Sequence, residues 1–272
     1  MIIDGKKIAN EIIETLARER STLPPVLRLG VLMGKEDAAS ASFVKIKERV
    51  ADKLQVVTVR ELLGEAASTA QALRSVERLA DRCEGIIIQL PLPSRIDIEE
   101  VLRAVPPKKD VDAINPNTQE PLVLAPVAAA IAEIFIRENV SGQNKKAVVV
   151  GAGRLVGAPA AALLKDMGAS VSVITQTKGS LKELKDADLV VLGAGESGLV
   201  KPKMLKEGVV LIDAGTSALP ADAAREQGVR VAGDADPRCA EAASIFTPVP
   251  GGVGPIAVAM IFKNLFTLAR RG

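Results

Sequence analysis

The sequence predicts a two-domain α/β protein, an N-terminal α/β half followed by a Rossmann-like, doubly wound parallel sheet. Three observations carry this expectation. Short apolar runs rich in Val, Ile and Leu alternate with stretches of helical periodicity, as they do where helices bury parallel strands on both faces. A turn-rich passage, residues 106–126, interrupts the chain with Pro106, Pro107, Pro116, Pro121 and Pro126. Beyond it, strand 146–150 runs straight into Gly151-Ala-Gly153-Arg-Leu-Val-Gly157 and a helix, the strand–glycine turn–helix order of a nucleotide-binding unit.

The elements follow in order. Ile8, Ile12, Ile13 and Leu16 recur at helical spacing with charged residues between them. Residues 27–33 read as a buried strand ending in a glycine-containing turn. Phe43, Val44, Ile46 and Val50 mark a helix over 38–54. A short strand, 56–60, and a helix, 68–83, lead to the apolar strand Gly85-Ile-Ile-Ile-Gln-Leu. Pro91-Leu-Pro93 stops that strand sharply, and 96–104 reads as a helix.

After the proline-rich passage comes an apolar helix, 127–139. The glycine turn leads into a helix through Leu164 and Met167, and strands are expected at 170–175, 189–192, 209–213 and 229–232. The chain closes with Pro248-Val-Pro-Gly-Gly-Val-Gly-Pro255 and an apolar helix through Ile261, Leu265 and Leu268. This helix follows the closing loop and is assigned back to the first domain. The expected division is therefore 1–126 plus 253–272, and 127–252.

Composition excludes several function classes. The 272 residues contain 35 Lys plus Arg against 33 Asp plus Glu, with no His, Tyr or Trp and five Phe. Without His there is no Ser-His-Asp triad, no histidine base and no His-ligated zinc. Cys83 and Cys239 are too few for a disulfide framework or a thiolate metal site. A net charge of +2 gives no electrostatic footprint for nucleic acid. The apolar run 122–132 is short and broken by Pro126, so no membrane span is expected and the reading is a cytoplasmic protein.

Within this frame a few polar residues stand against apolar neighbours. Gln89 ends a buried strand and either points into a cleft or bonds to loop backbone. Lys47 lies four residues after Phe43 on the same helix face, as a functional amine or as one more solvated lysine beside Lys45 and Arg49. Asp110 and Asp112 alternate, so they share a side if extended, one as a turn former and the other as a ligand group. In the second half, Gly151, Gly153 and Gly157 would let backbone N–H groups approach a pyrophosphate. The end of the next strand, Ile174-Thr175-Gln176-Thr177-Lys178, has neither the carboxylate that selects NAD nor an arginine for NADP. Arg154 and Lys178 are the candidate cations for a 2′-phosphate, and each also reads as a solvated surface charge.

Taken together, these segments resemble the methylenetetrahydrofolate dehydrogenase/cyclohydrolase family of bifunctional FolD enzymes across essentially the whole chain. The resemblance rests on Ile3-Asp-Gly-Lys-Lys-Ile-Ala, Ser40-Ala-Ser-Phe-Val-Lys-Ile-Lys47 and Gly85-Ile-Ile-Ile-Gln-Leu-Pro-Leu-Pro93. It continues through Lys109-Asp-Val-Asp112, Gly151 to Gly157-Ala-Pro159, and Thr247-Pro-Val-Pro-Gly-Gly-Val-Gly-Pro255. It implies two domains with a cleft between them and two reactions. Methylenetetrahydrofolate is oxidised with NADP or NAD, and the methenyl product is hydrolysed to 10-formyltetrahydrofolate. By the resemblance Lys47 and Gln89 are catalytic, and Phe43, Asp112, Pro250, Gly251 and Gly252 meet the folate. Gly151, Gly153, Arg154, Gly157, Pro159, Thr175 and Gln176 fall at the cofactor, and the family suggests a homodimer.

The departures from the family pattern are as specific as the matches. Phe43 replaces its tyrosine, Leu124-Ala125-Pro126 lacks its Cys and Thr, Ala113 replaces a glycine and Ala257 a polar residue. Gly153 replaces the serine of its glycine turn, and the arginines for a 2′-phosphate have no match. These losses raise two alternatives: a dehydrogenase-only enzyme, or a folate- or nucleotide-binding relative with little catalysis.

Overall fold

Parallel strands covered by helices make up both halves of the chain. A computed structural model describes residues 1–34, 38–219 and 231–271, and side chains from residue 44 onward in the helix Ala38–Lys53. The side chain of Phe43 therefore lies outside the described residues. Contacts gather into two units, Asn10–Pro126 with Val258–Gly272, and Met1–Ala9 with Val127–Ala257.

In the first unit, β1 (Leu27–Gly34) is flanked by β2 (Val56–Leu63) and β3 (Gly85–Gln89), both parallel to it. The central β1 is almost entirely buried, whereas the edge strand β2 exposes Val57 and Leu62. Helix α3 (Thr69–Arg82) starts where Ser68 and Gln71 satisfy each other's backbone N–H groups in a capping box. Its apolar face, Ala72, Val76 and Leu79, packs with Leu32, Ile86 and Ile88. Helix α4 (Ile98–Ala104) is capped by Asp97, whose carboxylate accepts the Glu100 N–H at 3.1 Å. The helix Val253–Ala269 supplies Phe262, Leu265 and Phe266 from its later turns, all buried.

The second unit holds a five-stranded parallel sheet among the described residues. Its order is the edge strand Ala243–Phe246, then β7 (Val209–Asp213), β6 (Leu189–Leu192), β4 (Lys146–Val150) and β5 (Ser170–Ile174). The chain winds one way from β4 to β5 and the other way through β6 and β7. That reversal puts a topological switch point between β4 and β6, where ligands of such sheets bind. Val148, Val150, Val190, Leu192 and Leu211 form the core with Ile174 and Phe246.

One expectation needs correction. The strand expected at 229–232 is not part of this sheet: Val231–Ala232 pairs antiparallel with Ser217–Ala218 alone, and residues 229 and 230 lie outside the described residues. The sheet edge is instead Ala243–Phe246, a four-residue segment that follows a one-turn helix and was missed for its shortness. By contacts residues 1–9 group with the second unit, where the Ile3 N–H donates to the Phe246 carbonyl at 2.9 Å. Among the described residues no helix is long and apolar enough to cross a membrane.

One buried amide ties the first unit together. Asn264, on the C-terminal helix, donates to the carbonyls of Val111 and Leu124, each at 2.8 Å. An Asn264→Leu variant keeps the branched shape and removes both N–H donors. Two carbonyls left without partners, at about 1–3 kcal/mol each, lower stability by about 2–6 kcal/mol, read as a reduced urea midpoint at unchanged slope.

Candidate active site

The polar residues singled out in the first half converge. Helix α2 (Ala38–Lys53) carries Lys47, β3 ends at Gln89, and the turn after β3 and α4 carries Asp112. The Lys47 ammonium Nζ donates to Gln89 Oε1 at 2.8 Å, and Gln89 Nε2 donates to the Leu90 carbonyl at 3.2 Å. The strand-end amide thus bonds both to loop backbone and to the lysine. Burial pushes the Lys47 pKa down, and the nearby Asp112 carboxylate opposes that shift. Burial also raises Asp112, to about 6, with Asp110 adding to the rise and Lys47 opposing it.

The two aspartates divide the roles left open above. Asp110 is buried, and its Oδ2 accepts the Asn115 N–H at 2.8 Å across a turn in which Ala113 takes φ +49°. Asp110 shapes the turn and Asp112 faces the lysine charge. Three further groups hold this turn. Lys109 Nζ donates to the carbonyls of Ala80 and Cys83 at the end of α3. Asn115 Nδ2 donates to the carbonyls of Arg103 and Val105 at the C-terminal end of α4. Asn264 holds Val111. Asn115 and Asn264 carry no sequence signal of this role, since Asn264 sits beside Lys263 and reads as one more solvated residue.

The second unit supplies a separate constellation at its switch point. Gly151 has φ +99°, and a Cβ there would overlap the Gly193 carbonyl; a Cβ on Gly157 would overlap the Gly151 carbonyl. Glycine is required at both by close backbone approach. At Gly153 a Cβ would meet nothing, so the backbone there is bare. Helix α6 (Gly157–Asp166) begins without a side-chain cap, and Pro159 sits in its first turn, where no N–H is needed. Bare backbone beside an uncapped helix N-terminus fits a dinucleotide's pyrophosphate. Arg154 is exposed beside this turn.

At the end of β5 the Thr175 N–H donates to the Lys178 carbonyl at 2.8 Å, and Thr175 Oγ1 accepts the Thr177 N–H at 3.3 Å. Gln176 and Lys178 are exposed on this turn. Pro250, Gly251 and Gly252 form another turn, closed by the Gly252 N–H on the Pro248 carbonyl at 2.7 Å, with Gly251 at φ +112°. The candidates therefore fall in two groups: Lys47, Gln89 and Asp112 in one unit, and the glycine turn, Thr175–Gln176 and Pro250–Gly252 in the other.

A parallel sheet with a glycine turn at its switch point, joined in one chain to an α/β unit with a half-buried lysine–carboxylate pair, defines a class of two-unit α/β enzymes. The chain belongs to the tetrahydrofolate dehydrogenase/cyclohydrolase family. The family model for the catalytic domain matches residues 3–112, and the model for the NAD(P)-binding domain matches residues 125–272. The bifunctional protein FolD of Halothermothrix orenii is 38% identical over 280 residues, covering 97% of this chain and 95% of that protein. The bifunctional FolD of Campylobacter jejuni is 28% identical with a TM-score of 0.91, covering 100% of this chain and 99% of that one. The Trypanosoma brucei dehydrogenase-cyclohydrolase, solved with NADP and an inhibitor, is 30% identical with a TM-score of 0.91, covering 100% and 97%.

The raised pKa of Asp112 gives a pH test of the site. A carboxyl group raised from its unfolded value of about 3.9 favours the folded state while protonated. Its contribution is present below that value and is lost as pH rises through about 6. Asp112→Asn, which mimics the protonated form, is expected to melt above the wild type at pH 8 and alongside it near pH 4. Parallel melting curves at both pH values would contradict the assigned burial.

Proposed function

We propose that the protein oxidises 5,10-methylenetetrahydrofolate and hydrolyses the resulting methenyl form to 10-formyltetrahydrofolate, as a bifunctional member of its family. The observation that carries this reading is the contact between the half-buried Lys47 and Gln89 beside Asp112. A nicotinamide cofactor held at Gly151, Gly153, Gly157 and Pro159 would supply the hydride acceptor for the one-carbon bridge. The substrate's own nitrogens stabilise the cation left behind, so the protein's task in that step is positioning.

Hydration asks more of the side chains. Water adds to the methenyl carbon, its proton must leave, and a carbon–nitrogen bond then opens with protonation of the nitrogen. A lysine whose pKa is lowered by burial supplies the neutral amine that takes the first proton and the ammonium that returns one. Gln89 accepts one Lys47 N–H and so fixes where the nitrogen points. Asp112, mostly ionised above pH 6, is an acceptor for the amino groups of the pterin, and Phe43, Pro250, Gly251 and Gly252 complete the folate contacts.

For the cofactor, the reading is NADP, with NAD as the alternative. The turn after β5 holds no carboxylate to repel a 2′-phosphate, and Lys178 and Arg154 are the cations assigned to it. Gly151, Gly153, Gly157 and Pro159 form the pyrophosphate turn, with Thr175 and Gln176 toward the adenosine end. The reading includes a cytoplasmic homodimer, which sedimentation in solution would test.

Phe43 favours one second reading, a dehydrogenase that hydrolyses poorly. The phenyl ring keeps the bulk of the family tyrosine but has no hydroxyl to relay a proton. A paired assay of both activities with NAD and NADP decides between the readings. Lys47→Met is expected to cut hydrolysis by about 10²–10⁴-fold, and a wild-type rate would remove Lys47 from the mechanism. Phe43→Tyr is expected to raise hydrolysis if the lost phenol matters. Because only the amine form acts as base, hydrolysis is expected to rise with pH and level off below lysine's ordinary value of about 10.4. A rate flat in pH would contradict the assignment.

A further inference from the structure

Two buried carboxylates lie under the switch point of the second unit, and the roles assigned so far use neither. Asp234 is fully buried, yet it serves an exposed loop. Its Oδ2 accepts the N–H groups of Ala194 at 2.6 Å and Gly195 at 3.2 Å, and its Oδ1 accepts that of Glu196 at 2.8 Å. These residues follow β6 directly. Three successive N–H groups turned to one point make a concavity suited to an anion, and the protein fills it with its own carboxylate.

Asp213, at the end of β7, holds Asp234 in turn. Its two oxygens accept the N–H groups of Asp234 at 3.2 Å and Ala235 at 2.8 Å, and that of Gly215 at 3.0 Å. The neighbouring glycines are obligatory, because a Cβ on Gly215 would overlap the Asp234 carboxylate and one on Gly233 the Asp213 carboxylate. The relay ends at the cofactor turn. A Cβ on Gly151 would overlap the Gly193 carbonyl and sit 3.0 Å from the Ala194 nitrogen. The loop that Asp234 holds is therefore the wall against which the glycine turn is packed.

We propose that Asp234 is a positioning residue for the nucleotide. By fixing residues 194–196 it sets the shape of the switch-point crevice, and it leaves the bare backbone of the glycine turn, not the loop after β6, as the place for the pyrophosphate. The proposal rests on the reading above only in that the second unit binds a nucleotide. It is independent of which folate reaction follows.

The test is equilibrium binding of NADPH and of NADH, followed by nucleotide fluorescence, with methenyltetrahydrofolate hydrolysis measured in parallel. Asp234→Asn turns one accepting oxygen into a donor facing N–H groups. Its nucleotide dissociation constant is expected to rise at least tenfold, while hydrolysis, which uses Lys47 and Gln89 of the other unit, stays within twofold. Hydrogen exchange is expected to show residues 194–196 losing protection while β4, β6 and β7 keep theirs. Asp234→Glu, which keeps the charge and adds a methylene, is expected to weaken binding less. Unchanged nucleotide binding in a folded Asp234→Asn protein overturns the proposal, and so does failure of both variants to fold, which would assign Asp234 to the fold alone. A wild type that binds nucleotide but turns over no folate would instead count against the proposed function and leave this inference standing.

Discussion

A lysine and a carboxylate can share a partly buried site only if the backbone that carries them is held without water. Asp112 sits on a turn, and a turn drawn toward a core leaves peptide groups short of partners. Here side chains supply partners in both directions, to peptide groups of the turn and from the turn to the neighbouring helices. Lys109 satisfies carbonyls at the end of α3, Asn115 those at the C-terminal end of α4, Asp110 an N–H of the turn itself, and Asn264 the carbonyl next to Asp112. Each of these bonds is of ordinary strength. Their joint effect is that Asp112 has one position relative to Lys47, so the two charges perturb each other in a fixed way.

The second unit solves the same problem with the opposite sign of group. Its unsatisfied groups are N–H donors at the ends of parallel strands, and its fixing groups are carboxylates, Asp213 and Asp234. Thr247 completes the set: its Oγ1 accepts the Asp213 N–H at 2.6 Å and donates to the Asp213 carbonyl at 3.2 Å. In both units the candidate site residues are chemically simple, and buried polar groups behind them fix the backbone that carries them. Such groups are costly when left unpaired, which makes their geometry all-or-none.

This distribution explains what could be read from the sequence. The strands β1, β3, β4, β6 and β7 were legible because burial on both faces leaves continuous apolar runs. The glycine turn was legible because Gly151 and Gly157 are each forced by a close backbone approach. Lys47, Gln89 and Asp112 were visible as polar residues in apolar settings, but their convergence followed only from the family resemblance, because it depends on pairing across β1 to β3 and on the turn before residue 115. The edge strand Ala243–Phe246 was hidden because four residues give too few alternations to register. Asn264, Asp213 and Asp234 were hidden for a different reason: a buried polar residue is written in the same letters as an exposed one, and only its partners distinguish them.

The absence of tyrosine gains a narrower meaning from this arrangement. A phenol next to a lysine can lend it a proton or take one, which matters most when the lysine keeps its ordinary pKa and is seldom neutral. Lys47 does not keep it. Burial already pushes the amine toward its neutral form, and the amide of Gln89 fixes its nitrogen without adding charge. Among the described residues the titratable group acting on Lys47 is Asp112, and burial raises that too, which weakens its hold on the ammonium near pH 6. A site built this way depends on desolvation where a tyrosine-bearing site has a relay. Any change that lets water reach Lys47 would then restore its ordinary pKa and remove the base, even with every named side chain still in place.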